Sequence, residues 1–214
     1  SIGTTGAASD SCAGVTWTNN FIALSDDCGM TGSATVTFTA TDECNLTNTT
    51  TATFTIEDTT PPTIDVEASD LTVECDGNGN ITEVNEWLAS IGTTGAASDS
   101  CAGVTWTNDF TILNNDVCGA LTTVIFTATD ECGNFVTTEA TINTEDTIPP
   151  VIGCPGDVTA VTEDGDCGAI VNFQPAVATD NCGSAFTYQT GGLGSGSVFP
   201  VGDTLIEYTA QDDC

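Results

Sequence analysis

The nineteen residues SIGTTGAASDSCAGVTWTN stand at positions 1–19 and recur without a mismatch at positions 90–108. The likeness runs on. FIALSDDCGMTGSATVTFTATDECN from Phe21 answers FTILNNDVCGALTTVIFTATDECGN from Phe110, and TIEDTTPPTI at 55–64 answers NTEDTIPPVI at 143–152. Near-identical copies must each be able to fold in the same way. The period, 90 − 1 = 89 residues, is too long for a solenoid repeat and has the size of a small β-sandwich. Pro61-Pro62 and Pro149-Pro150 give stiff, extended connectors and mark the boundaries. Three modules are expected: 1–60, lacking its start; 61–148, complete; and 149–214, stopping about a strand short.

Thr alternates with Val, Phe, Ile and Ala along much of the chain, which is a strand pattern. In the 61–148 segment the strands are expected at Thr63–Val66, Leu71–Glu74, Gly103–Thr107, Thr111–Leu113, Thr122–Thr129 and Val136–Thr144. DGNG at 76–79 reads as a tight turn. Only 81–90 looks helical, with Val84, Trp87 and Leu88 at i, i+3, i+4. The fold class is therefore all-β: tandem sandwich modules in a linear array.

Charge narrows the function. The chain has 31 Asp and Glu and no Lys, Arg or His, so its net charge is −31. Phosphate backbones would be repelled, which excludes nucleic-acid binding. Imidazole and amine chemistry is excluded, and so is any side-chain ion pair. Charge partners must come from outside, as metal cations or basic molecules. At 39% hydrophobic residues the chain is too apolar to be a disordered acidic tail. Eleven Cys point to an oxidising compartment, and no apolar run is long enough to span a membrane.

PPVIGCPGDVTAV, AIVNFQPAVATDNCG and GSGSVFPVGDTLIEYTAQD, in that order, resemble the hyalin repeat (HYR), an immunoglobulin-like extracellular module. The 1–60 and 61–148 segments resemble related Cys-rich repeats of giant bacterial surface proteins, including adhesins of gliding bacteria. There SDSC takes the place of TDNC, TATDEC that of TAQDDC, and DDCG (26–29) or DVCG (116–119) that of FPVG. The resemblance implies immunoglobulin-like sandwiches, a structural or adhesive role at a cell surface, and no enzyme activity.

On that fold, the loops holding Cys101 and Cys132 share one pole, and Cys75 and Cys118 share the other. The expected pairs are Cys101–Cys132, Cys75–Cys118, Cys12–Cys44 and, by analogy, Cys182–Cys214, with Cys167–Cys182 as a rival. Cys28 would join a cysteine upstream of residue 1, and Cys154 one in a further strand. Metal-thiolate and redox roles lack the CxxC spacing. The same fold gathers acids at the module junctions. Glu57, Asp58, Asp99, Asp130 and Glu131 are expected at one, and Glu145, Asp146, Asp180, Asp212 and Asp213 at the next. Such sets suit calcium, which takes 6–8 oxygens; a solvated acidic surface is the plainer alternative.

Trp17 and Trp106, each in VTWTN, are expected in sandwich cores, with carbohydrate stacking as the other role. The Asn45, Asn48 and Asn80 sequons and the Asp-Thr-apolar triplets at Asp58, Asp146 and Asp203 are glycosylation patterns. The functional expectation is a structural segment of a long extracellular fibre, stalk or surface adhesin. Its partners would be neighbouring modules of the same chain, and chains could self-assemble into filaments. The alternatives are a glycan- or ligand-binding adhesin module and an accessory domain of a secreted enzyme.

Overall fold

The computed structural model describes residues 6–11, 14–101, 103–113 and 119–214. In chain order the elements are β1 (Thr16–Asn19), β2 (Gly32–Thr41), β3 (Thr47–Ile56), β4 (Thr63–Val66), β5 (Leu71–Glu74), α1 (Ile81–Ala89), β6 (Ala96–Ser98), β7 (Val104–Asn108), β8 (Leu121–Asp130) and β9 (Phe135–Glu145). They continue as β10 (Val151–Gly153), β11 (Gly168–Val171), β12 (Val177–Thr179), β13 (Ala185–Gly191), β14 (Ser197–Pro200) and β15 (Glu207–Asp212). The described residues are all-β apart from α1 and a distorted helical turn at Ile91–Thr94, with mainly antiparallel strands. The sheets run β1-β2-β3 and β5-β9-β8-β7, with two-stranded pairs β4-β6, β10-β12, β11-β14 and β13-β15. Strand β5 joins β9 in parallel, with Leu71 opposite Ile142.

Alternation decides what is buried. On β8, Val124, Phe126, Ala128 and Asp130 point inward while Ile125 is exposed, as a two-residue period requires. On β9 the inward set is Thr138, Ala140, Ile142 and Thr144. The β2–β3 and β8–β9 hairpins turn in the same way, because both carry the TDEC sequence. Asp42 Oδ1 accepts the N–H groups of Cys44 and Leu46, and Asp130 Oδ1 accepts those of Cys132 and Asn134. A left-handed residue closes each turn: Asn45 (φ 63°) in the first and Gly133 (φ 88°) in the second.

Two compact units are present. The first comprises residues 1–68, 94–108 and 125–138; its core holds Val36, Ala40, Phe126 and Ala128. The second comprises residues 69–93, 109–124 and 139–214; its core holds Val73, Val84, Trp87, Leu113, Val124, Ala140, Ile142 and Ala176. Helix α1 buries Val84 and Trp87, and the Trp87 indole N–H donates to Ser69 O at 2.9 Å.

Two expectations are corrected. Residues 111–113 are not a strand; they form a coil that buries Leu113 and leaves Ile112 75% exposed, because no neighbouring strand pairs with them. Trp17 and Trp106 are only half-buried, because β1 and β7 are edge strands. The core tryptophan is Trp87, 3% exposed, supplied by the helix.

Candidate functional site: acidic, disulfide-bonded contacts between repeats

The Asp-x-Cys sequences build one local structure at five places. The Asp carboxylate accepts the N–H of the Cys two residues on: Asp42 to Cys44 at 2.8 Å, Asp99 to Cys101 at 2.7 Å, Asp130 to Cys132 at 2.8 Å, Asp180 to Cys182 at 2.7 Å and Asp212 to Cys214 at 2.9 Å. This Asx turn fixes the Cys backbone and leaves the second carboxylate oxygen for another partner.

Two disulfides form among the described residues with both partners defined, and each joins one sequence copy to the next. Cys28 of the 1–60 segment is bonded to Cys132 of the 61–148 segment, with Cα atoms 5.2 Å apart. Cys75 of the 61–148 segment is bonded to Cys182 of the 149–214 segment, with Cα atoms 5.3 Å apart. These bonds overturn the expected pairs Cys101–Cys132, Cys75–Cys118 and Cys182–Cys214, the rival Cys167–Cys182, and the assignment of Cys28 to an upstream cysteine. The reason lies in the fold: Cys28 and Cys132 belong to one compact unit and Cys75 and Cys182 to the other, and each unit is assembled from segments distant in sequence. Cys44 is a free thiol, which leaves no Cys12–Cys44 bond; Cys101, Cys154 and Cys167 are free too. Cys214 is disulfide-bonded. Cys12 and Cys118 lie outside the described residues.

Around Cys75–Cys182 the backbones also interlock. Asn181 Nδ2 donates to Cys75 O at 2.6 Å. Gly77, with φ +69° in the DGNG turn, comes so close that a Cβ there would lie 2.9 Å from Asn181 O. Glycine is required there by both the backbone conformation and the contact.

Carboxylates gather at the same places. Ligand oxygens of Asp146, Asp180 and Asp212 lie within 4.8 Å of one another. Asp58 and Asp99 lie within the same distance of each other and of the Cys101 sulfur. Asp146 and Cys182 also group with Cys214, but both sulfurs are disulfide-bonded and are not thiolate ligands. Each of three acids splits its oxygens in one way. Asp58 Oδ1 accepts from Thr60 N, Asp146 Oδ1 from Ile148 N and Asp180 Oδ1 from Cys182 N. In all three the Oδ2 atom is buried with no hydrogen-bond partner. Buried, undonated carboxylate oxygens are unfavourable alone and are the hard donors that Ca²⁺ binds. The residues therefore fit calcium.

The charge balance agrees. Burial pushes the Asp146 carboxyl above its ordinary range; the N–H of Ile148 opposes this, and the negative charges of Asp180, Asp212 and Glu74 add to it. For Asp130, burial pushes upward but donors from Asn134, Cys132 and Gly133 outweigh it, and the carboxyl lies below its ordinary range. Glu74 is held low by the Thr147 backbone and hydroxyl donors, at 2.9 and 2.8 Å.

Of the ten acids expected at the junctions, Asp58 and Asp99 come together in one cluster, inside the first compact unit, and Asp146, Asp180 and Asp212 in another, inside the second. Asp130 is 5% exposed and held by the Asn134 side chain at 2.9 Å. Glu131 accepts the N–H of Gly29 at 3.1 Å. Exposed Glu145 accepts from Asn143 at 2.8 Å. Glu57 and Asp213 are exposed. Glu74 and Asn181 were missed; their signal is position, one next to Cys75 and the other next to Cys182.

Residues 145–214 match the model of the HYR domain. Hyalin of Lytechinus variegatus is 42% identical over 98 residues, covering 42% of this chain and 18% of hyalin. Hyalin of Strongylocentrotus purpuratus is 35% identical over 94 residues, covering 42% of this chain and 8% of that protein. The chain thus spans less than a fifth of the curated relatives it matches. Both are sea-urchin proteins, whereas the sequence resemblance also pointed to bacterial surface proteins. Among solved structures, protocadherin gammaB7 EC3-6 overlaps with a TM-score of 0.34 at 13% identity, over 95% of this chain and 64% of that one. The human desmocollin-1 ectodomain gives 0.28 at 10% identity, over 85% and 41%. The disulfides and the HYR match fit an extracellular location.

Proposed function

We propose that the chain is a structural segment of a long extracellular fibre, stalk or surface adhesin, built of the segments 1–60, 61–148 and 149–214 and stiffened at their contacts by disulfides and calcium. The observation that carries this reading is that Cys28–Cys132 and Cys75–Cys182 each tie one sequence copy to the next. Each bond lies inside one compact unit and ties segments 104 or 107 residues apart, so it resists the pulling-apart of that unit, which a load-bearing spacer needs and a catalyst does not. Acidic turns recur with each copy, which suits a repeated mechanical element better than a single active site. The physiological partners on this reading are neighbouring repeats of the same chain, with lateral association of chains into filaments.

Bound calcium would neutralise the converging carboxylates. Asp146, Asp180 and Asp212 would hold it at one junction, and Asp58 and Asp99 would contribute at the other. The protein's own part is to fix these oxygens through the Asx turns and exclude competing donors from the Oδ2 atoms. Titration calorimetry of the 214-residue protein with CaCl₂, at fixed ionic strength, tests this. Saturable heat and a higher melting temperature are expected. Calcium that behaves no differently from ionic-strength-matched NaCl would leave only a solvated acidic surface.

A further inference from the structure

Cys101 is the repeat counterpart of Cys182: SDSC at 98–101 aligns with TDNC at 179–182. Their surroundings correspond as well. Each backbone N–H is held by the preceding Asp at 2.7 Å. Cys101 groups with Asp58 and Asp99, and Cys182 lies with Asp146 just after Asp180; Asp58 and Asp146 are themselves counterparts, in EDTTPP and EDTIPP. Ser100 stands where Asn181 does, and its hydroxyl lies 3.8 Å from the Cys101 sulfur. The difference between the sites is covalent. Cys182 is bonded to Cys75, at the end of a Leu-Thr-Val-Glu strand and the start of a DGNG turn, whereas Cys101 is a half-buried free thiol.

We propose that Cys101 is a covalent docking site for another repeat of this chain's own kind, one that presents a cysteine in an LTVECDGNG sequence. The Asx turn at Asp99 and the position of Asp58 leave Cys101 arranged as Cys182 is when bonded. The chemistry is disulfide exchange with a small-molecule disulfide of the glutathione type, the oxidant of such compartments. The incoming cysteine first becomes a mixed disulfide with the small thiol. The Cys101 thiolate then attacks the protein sulfur; the new S–S bond forms, the old one breaks, and the small thiol leaves as thiolate and takes up the proton that Cys101 released. Two protein thiols are oxidised and one small disulfide is reduced to two thiols. The inference deepens the spacer reading but does not depend on calcium, so it is tested in chelator.

Residues 1–19 repeat 90–108, so fusing a copy of residues 61–89 ahead of Ser1 recreates the natural Ala89–Ser90 join and supplies one cysteine of the Cys75 type. The extended chain is oxidised with glutathione disulfide and digested unreduced. The peptide carrying Cys101 is told from that carrying Cys12 by Asp109 against Asn20. The added cysteine should be recovered on Cys101, and alkylation of Cys101 should fall by about tenfold or more relative to the unextended protein, as loss of the free thiolate requires. Exposed Cys44 should alkylate equally in both. The added cysteine on Cys12 or Cys28, or unchanged Cys101 alkylation, would overturn the proposal. Should the extended chain not fold, the 214-residue protein is challenged with the peptide LTVECDGNG activated as a pyridyl disulfide. The peptide should modify Cys101 ahead of exposed Cys44, Cys154 and Cys167, reversing the order given by a small pyridyl disulfide; the same order with both reagents would overturn the docking site.

Discussion

The side-chain amide of Asn181 donates to the carbonyl oxygen of Cys75 at 2.6 Å, so the neighbour of one disulfide cysteine grips the backbone of the other. The hydrogen bond orients the two chains that the disulfide joins. Asn181→Ala should cost about 1 kcal/mol, the usual net worth of one hydrogen bond. It should also speed reduction of Cys75–Cys182 by dithiothreitol without affecting Cys28–Cys132. Equal rates for Cys75–Cys182 in variant and parent would show that Asn181 plays no part in holding the bond.

Asp146 separates the metal account from a purely structural one. Its carboxyl is raised above the ordinary range by burial and by Asp180, Asp212 and Glu74. Removing that charge should relieve repulsion. In chelator, Asp146→Asn is therefore expected to melt higher than the parent, while the rise produced by calcium shrinks. A variant less stable in chelator, with an undiminished calcium response, would contradict the proposed role.

Acid titration has two opposing parts. Glu74, Asp76 and Asp130 have lowered folded pKa values, so they stabilise the fold above their unfolded pKa of about 4 and lose that contribution as pH falls through the folded values. Asp146 is raised, so its contribution is fully present below the unfolded pKa and is lost as pH rises through the folded value. In chelator, Asp130→Asn should flatten the loss of thermal stability below about pH 4, and Asp146→Asn should flatten the loss just above it. Melting temperature followed against pH for parent and variants checks both signs.

Trp87 is 3% exposed and its indole N–H is bonded to Ser69 O. Trp87→Ala should cost about 3–5 kcal/mol, the range for large aromatic truncations in cores. Trp106→Ala, on a half-buried edge position, should cost much less. Urea unfolding of the two variants should separate them; similar losses would mean that the edge-strand tryptophans carry core weight.

The secondary structure was legible where local pattern suffices. Thr63–Val66 and Leu71–Glu74 fall on β4 and β5, and the 81–90 helical spacing on α1, because alternation and helical spacing are local. Thr111–Leu113 misled because one buried Leu in a coil leaves the same mark as a strand. The acidic turns were visible as recurring Asp-x-Cys sequences, but which oxygens converge depends on how chains abut. The disulfides were the least legible. Spacing gives each copy the same cysteines whether they bond within a copy or across to the next, and pairing them by pole assumed that sulfurs meet only inside a module. The Asn in TDNC was the available hint, since Asn181 reaches Cys75 rather than its own turn.

The central claim, that covalent bonds run from copy to copy, is tested most directly by peptide mapping of the unreduced 214-residue protein. Pepsin at acid pH needs no Lys or Arg and suppresses thiol exchange by keeping thiols protonated. The account predicts one peptide pair containing Cys28 and Cys132 and another containing Cys75 and Cys182. Recovery of Cys132 joined to Cys101, or of Cys182 joined to Cys214, would place the bonds within copies and contradict it.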